Sequence, residues 1–561
     1  MTNEFYFMGL RNSGMDPMWT REVKLSQRKL DPLGLSRVSQ WLTEELLPGI
    51  TTVTSVARNY SFYCWGISNL LNLNKITHRS HFAQEITKRE AAFVIGCILH
   101  EANKINKLNP HGYEKATRFI KKDSNGKIQV AFNVSESNPE GFYGLYYRTA
   151  MFKLGLTIRS RLFDDLTPLG RQLAAAFESN IKGTEYFKHH IKDDDVNKEV
   201  LAEYGEKACI CRLAAPSEER ELLKSIMFND NLPFLSLERS RKDTLLLVLS
   251  LVAQSSDFGI EFTEDTFRDA IFFGQATDGK FIFDFNFRNF EEITARWHLF
   301  QLHEYFTFAM ESLLYALLNE LKKKDEGMSF DEFLSLVDNG ASVSEALKIS
   351  TTGPIKEIID LLLKDLQLSE LKSDTSRQFD RVCNLKKETS EKKLFIKLQN
   401  AIKDNNLEKI VGNAIAILIL NYIRAYHLLE DVDSITLWFT NKALQELSPI
   451  FFAQNIRSKT LIWKLSDLIH YCFKIVREQH NLIALDKLLY GNDTYRFEER
   501  GNRLKFKMDI YPNYPSQRSS KINSVLSILE QLGLIENQGN IKRLTHDGSK
   551  ILEECLHARV N

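Results

Sequence analysis

Four groups of residues in this chain have side chains and spacings suited to chemistry. Cys209-Ile-Cys211 offers two thiolates of the kind that hold zinc. A structural zinc site needs four ligands, however, and no second close Cys/His pair follows; the nearest, His189-His190, lies about 20 residues upstream. The alternation of the two thiols with Ile210 fits a segment packed into the core, and no metal is expected. Gly274-Gln-Ala-Thr-Asp-Gly279-Lys280 has the glycine and lysine spacing of a phosphate loop, but Phe281 stands where the magnesium-binding Ser or Thr belongs. A surface turn between strands is the expectation there. Asp278, Lys280 and Asp284 together match a nuclease-like carboxylate and lysine set only by a short pattern. The stretch 295–318 carries His298, His303, Glu304 and Glu311. Trp297, Glu304 and Glu311 recur at heptad spacing and share one helix face. No partner Glu-x-x-His motifs are suitably placed for a bridged metal pair. That predicts a buried carboxylate network partnered by Arg or Tyr. Neither a Gly-x-Ser-x-Gly elbow nor His-Glu-x-x-His occurs. No catalytic residue, cofactor or metal ligand is assigned from these patterns.

A fifth group is aromatic: Arg58, Tyr60, Phe62, Tyr63 and Trp65 follow Pro48-Gly49 and the capping candidates Thr51 and Thr54. Aromatics interleaved with Arg can stack on unpaired bases. A packed aromatic core with a buried Tyr hydroxyl is the simpler reading.

The elements that must position these groups are mainly helical. Only 12 prolines and 26 glycines occur in 561 residues, and apolar residues recur at three- and four-residue steps over 290–324, 407–429 and 461–490. Alternation over 127–134 and 495–506 predicts strands, the second a hairpin turning near 499–502. The runs 244–253 and 414–420 fall short of the roughly 20 residues of a bilayer span and predict buried helices. The fold class is therefore mainly α, with small β-ribbons. The charged stretches 189–198 and 371–393 suggest connectors. They divide the chain into an N-terminal aromatic segment 1–84, a module 85–185, a helical core 186–370, a helical domain 371–485 and a C-terminal module 486–561.

Lys+Arg and Asp+Glu each total 73, giving zero net charge, so any nucleic-acid contact must be local. Seven cysteines, an odd number scattered along a long chain, point to reduced thiols. The first residues lack a secretion signal's pattern, so a soluble cytoplasmic protein is expected.

One self-similarity is specific. Leu154-Gly155-Leu156 is followed after nine residues by Leu166-Thr167-Pro168-Leu169-Gly170. Leu532-Gly533-Leu534 is followed at the same interval by Leu544-Thr545-His546-Asp547-Gly548. Helical spacing over 143–154 and 519–532 precedes each copy, and each glycine suits a left-handed helix stop. The nine residues accommodate a β-ribbon, and Thr167 or Thr545 fits a helix N-cap. This order of helix, ribbon and capped helix resembles the winged helix-turn-helix superfamily of DNA-binding domains, in two copies.

The resemblance implies that the helix before each ribbon enters the major groove while the ribbon touches phosphate. It nominates Arg518, Ser519, Ser520, Lys521, Asn523 and Ser524 on the second helix, with Lys542 and Arg543 on its ribbon. In the first copy it nominates Arg148, Lys153, Arg159 and Arg161. Both copies are locally basic, with five basic residues against Asp164 and Asp165 over 143–171, and four against Glu530 and Glu536 over 515–545. Tyr146, Tyr147, Met151 and Phe152 make the first helix apolar, as suits a buried or protein-binding helix. The first third also resembles uncharacterised bacterial anti-phage defence proteins. The resulting expectation is a DNA-binding or assembly subunit without catalysis of its own, partnered by duplex DNA and by a protein such as an ATPase or helicase. Two alternatives stand beside it: a protein-docking scaffold similar to the kleisin subunits of ATPase complexes, and a nuclease with a degenerate site.

Overall fold

The computed structural model of the chain describes residues 24–25, 31–72, 76, 78–100, 109–122, 126–160, 163–229, 240–337, 340–430, 447–509 and 514–560. Helices dominate, joined to short two- and three-stranded sheets, so the fold is mainly α. Two compact units are formed, and each takes in two stretches of chain. One joins the described residues up to Val38 to Leu302–Arg518; the other joins Ser39–Gln301 to the segment beginning at Ser519.

The 302–518 unit is built around the helix Leu407–Ala425, buried without interruption from Ile410 onward. Its apolar sequence over 407–429 has the length and composition to cross a bilayer, yet 89% of its apolar 18-residue window is buried inside the chain. The helices Ala341–Leu347, Ser373–Val382, Glu391–Lys403 and Pro449–Ile456 pack around it and supply the apolar surroundings that its leucines and isoleucines require. Gly412 lies against the Ser342 backbone, where a Cβ would collide. The one cation buried in this helix, Arg424, is matched: its Nε donates to Glu391 at 2.6 Å, its Nη1 to Asp380 at 2.9 Å and its Nη2 to the Cys383 carbonyl at 2.7 Å. The strands Phe497–Arg500 and Arg503–Phe506 form the hairpin that alternation predicts, and Met328–Ser329 adds a third strand.

In the 39–301 unit the helix Arg58–Asn72 packs on Pro168–Ile181, and Arg79–Leu99 packs on Lys198–Ala208. The second crossing is unusually close, because Gly96 and Gly205 meet backbone to backbone where any side chain would clash. The strand at Lys127–Gln129 is shorter than the alternation suggests and pairs antiparallel with Asp195–Asn197, which lies within the charged stretch 189–198. The stretch 371–393 holds the helix Ser373–Val382, with Ser376 buried. The apolar run 244–253 lies in the buried helix Ser240–Phe258.

Candidate functional site

The two copies of the repeat match bond for bond. In each, glycine ends a helix with positive φ, 69° at Gly155 and 68° at Gly533. The following leucine amide turns back to the helix, Leu156 to the Met151 carbonyl at 2.9 Å and Leu534 to that of Leu529 at 2.9 Å. A two-stranded antiparallel ribbon follows: Thr157–Ile158 with Asp165–Leu166, and Ile535–Gln538 with Ile541–Leu544. The threonine hydroxyl then donates to the glycine carbonyl, Thr167 to Gly155 at 2.6 Å and Thr545 to Gly533 at 2.7 Å. The same oxygen accepts the amide of the glycine three residues on, Gly170 or Gly548, at 3.1 Å in both. Those last glycines are steric requirements, since a Cβ at either would collide with the Leu156 or Leu534 carbonyl.

The helices before the ribbons are largely turned inward. Ile522–Gln531 buries Ile522, Ser524, Val525, Leu526, Ile528, Leu529 and Gln531. Its start is occupied by a carboxylate: Glu264 accepts from the Ser520 amide at 2.6 Å, the Ser520 hydroxyl at 2.9 Å and the Asn523 side chain at 3.1 Å. Ser519 is exposed, and its hydroxyl reaches the same glutamate at 3.5 Å. Anionic oxygens at a helix start are what a phosphate would supply; here the protein supplies them itself.

Lys521 is buried with φ 66°, and burial first, then Lys153, pulls its ammonium down to about 8 against the opposing pull of Glu44. Lys153 donates to Glu44 at 2.8 Å, so one carboxylate serves a lysine from each copy. Arg148 grips Asp164 through Nε at 2.6 Å and Nη2 at 2.9 Å. Although burial alone would raise Asp164, Arg148 and Tyr143 hold its carboxyl below the usual range. Arg518 belongs to the 302–518 unit and pairs there with Glu311 at 2.9 Å.

The ribbons are the outward parts. Arg159 is exposed, with its guanidinium 4.7 Å from the Phe152 ring and a bond to Thr149 at 3.1 Å. Arg543 is exposed, and half-buried Lys542 donates to Asn537 at 2.8 Å. Arg161 lies outside the described residues.

The other candidates resolve as packing. Arg58, Tyr60, Phe62, Tyr63 and Trp65 are all buried. Phe62 stacks on Phe93 at 4.1 Å, Tyr60 donates to the Gly49 carbonyl at 2.9 Å, and Arg58 pairs with Glu219 at 3.0 Å. Glu304 and Glu311 sit in the expected buried network, where Glu304 accepts the Arg518 amide at 2.5 Å. Residues 278–281 form a turn between Gln275–Thr277 and Ile282–Asp284, and Asp278 accepts the Lys280 and Phe281 amides at 2.8 and 2.6 Å. A cleft of about 470 Å³ in the 302–518 unit is lined by Lys356, Asp360, Glu370, Tyr422 and Arg457 among others. Lys356 is paired to Asp360 at 2.8 Å, so this cation is already neutralised.

One grouping escaped the sequence patterns. The glycine crossing sets two helix ends side by side, one at Leu99 and the other at Ala208. The His100 amide bonds to the Gly96 carbonyl and the Cys209 amide to the Gly205 carbonyl, each at 3.0 Å. The ligand atoms of His100, Cys209 and Cys211 consequently lie within 4.8 Å of one another, with Cys211 Sγ 3.4 Å from His100 Nδ1. Cys97, one turn before His100, touches Cys209. Contact with Cys211 lowers the Cys209 thiol, but Cys97 and burial outweigh it and push the group up to about 12. The available signal was a shared offset: Gly96 and Gly205 each stand four residues before the first residue of the cluster on their strand of chain.

No family model, curated protein or solved structure matches the chain.

Proposed function

We propose that this chain is an assembly subunit of a multi-protein complex, with its two winged-helix-type modules acting as structural elements and an apolar face on another helix as the docking surface. The observation that carries this reading is an inversion of exposure. The basic residues that a groove-reading helix would present are met by Glu44, Asp164 and Glu311, and Glu264 takes up the polar groups at the second helix's start, while an apolar stripe faces outward. That stripe comprises Leu482, Leu485 and Leu489 on the helix Leu465–Leu489, with the adjoining Tyr490, which is 72% exposed. The positions follow helical spacing, and exposed apolar faces of this kind are what protein partners cover. Seven free thiols, six of them buried, fit a reducing compartment such as the cytoplasm.

A second reading, duplex contact through the ribbons, is favoured by the outward Arg159 and Arg543. Duplex titrations over a salt series separate the two. Docking predicts weak binding with a shallow salt dependence, and loss of a co-purifying partner in Leu485→Glu/Tyr490→Glu while Arg159→Ala/Arg543→Ala retains it. Steep loss of duplex affinity with salt, abolished by the arginine pair and untouched by the stripe pair, would establish the DNA reading instead.

A further inference from the structure

We propose that His100, Cys209 and Cys211 form a zinc site, with Cys97 placed to supply the fourth ligand. Three physical facts support this site, and none of them depends on the docking reading.

The first is geometry. Tetrahedral zinc with Zn–S of about 2.3 Å and Zn–N of about 2.0–2.1 Å puts neighbouring sulfur and nitrogen ligands about 3.5 Å apart. The Cys211 Sγ to His100 Nδ1 separation is 3.4 Å, and the Cys209 thiol completes a triangle within 4.8 Å. Cys97, on the turn preceding His100, interacts with the Cys209 thiol but stands outside that triangle. A Cys-x-x-His pair and a Cys-x-Cys pair therefore meet, although more than a hundred residues separate them in sequence.

The second is donor chemistry. Thiolate and imidazole select zinc and similar soft or borderline ions over magnesium or calcium. The group is shielded from water: Cys97 and Cys209 are fully buried, and His100 is 8% exposed.

The third is electrostatic. Two helix C-termini converge here, and their partial negative charge favours a cation at their ends. The surroundings are braced as well. Arg58 Nη1 donates to the Cys209 carbonyl at 2.5 Å while the same guanidinium is held by Glu219, which fixes the thiolate-bearing turn in place. With Cys97 drawn in as the fourth ligand the site is of the closed, structural kind, a tie between the end of Arg79–Leu99 and the 3-10 turn Ile210–Ala214. Each bound thiol releases its proton to solvent, so affinity should fall in acid.

The full chain, purified under reducing conditions without added chelator, is expected to carry about one zinc per chain by elemental analysis. Cobalt should replace it and give the thiolate-to-cobalt charge-transfer and d–d bands of a tetrahedral site. Cys209→Ser/Cys211→Ser should lose both signals, while Cys472→Ser, at a buried cysteine in the other unit, should keep them. If the double variant fails to fold, the wild-type chain supplies the answer: blocking its thiols with a mercurial should release stoichiometric zinc, and chelation should lower its thermal midpoint. A chain that holds no zinc after purification and takes up none on reconstitution overturns the site. So does zinc uptake that persists in a folded Cys209→Ser/Cys211→Ser variant.

Discussion

At the scale of single residues, charge in this protein is spent internally. Arg424, Arg58, Arg148 and Arg518 each meet a carboxylate, and burial favours the neutral form of His303 and His480. His480 shows why. Its Nδ1 faces the Pro32 carbonyl at 3.2 Å and must donate, whereas its Nε2 accepts the Arg496 amide at 3.0 Å and so cannot carry a proton. Burial, reinforced by Arg496 and Lys487, lowers it from 6.5 to about 4. Below pH 6.5 the unfolded chain binds a proton that the folded chain refuses until about pH 4. Stability contributed by His480 is therefore present above the upper value and is lost as pH falls through that window, by about 3 kcal/mol in full. His303, lowered to about 4 by burial, adds to the same acid sensitivity. Replacing His480 by Gln preserves a donor and an acceptor without a titrating proton. Denaturant midpoints measured across this window should then depend less steeply on pH than in the wild type; equal slopes would remove His480 as a source of the sensitivity.

At the scale of elements, the repeat is a local design that can be read from the sequence and tested copy by copy. Thr545 closes the ribbon onto the preceding helix and caps the next one, so Thr545→Ala should cost about 1 kcal/mol. Gly548→Ala forces a methyl into the Leu534 carbonyl and should cost about 1–3 kcal/mol. Thr167→Ala and Gly170→Ala should reproduce the same order, checked by urea unfolding. A Gly548→Ala variant as stable as the wild type would mean that the close approach is not required. What was legible in advance obeys short-range rules: the 3.6-residue periodicity of Leu407–Ala425, the alternation of the 497–506 hairpin, the heptad placement of Glu304 and Glu311, and the Leu-Gly-Leu to Thr interval. What stayed hidden depends on which distant element arrives next. Glu264 meets Ser520 across 256 positions and His100 meets Cys211 across 111, and no periodicity within either partner encodes such a meeting. The start of Ile522–Gln531 looked available for phosphate because Glu264, which occupies it, belongs to another helix, and Arg148 looked free because Asp164 reaches it only when the ribbon folds back.

At the scale of the whole molecule, the nominated cations Arg148, Lys153 and Arg518 pair with the chain's own carboxylates, leaving the ribbons as the outward basic positions among the nominated residues. The chain also returns to each unit after leaving it. Ile522–Gln531 is an integral wall of the 39–301 unit: Gln531 donates to the Ser55 carbonyl at 2.8 Å and accepts the Ala57 amide at 3.0 Å, and Asp547 bonds Lys224 at 2.8 Å. Deleting the chain from Ser519 onward should therefore leave the remainder partly molten, with early proteolysis between residues 39 and 301. A truncated protein that unfolds as cooperatively as the full chain would show instead that the C-terminal segment is a detachable module.

The same return gives the fold an order in time. A ribosome that has finished Gln301 must still make the whole of 302–518 before the residues that seal the earlier unit emerge. Until then the apolar surfaces awaiting Ile522, Val525 and Leu529 stay open to water or to a chaperone. Completion of the first-made core is thus a late event of synthesis, and a chain stalled before Ser519 presents the cell with a nearly finished but unclosed protein.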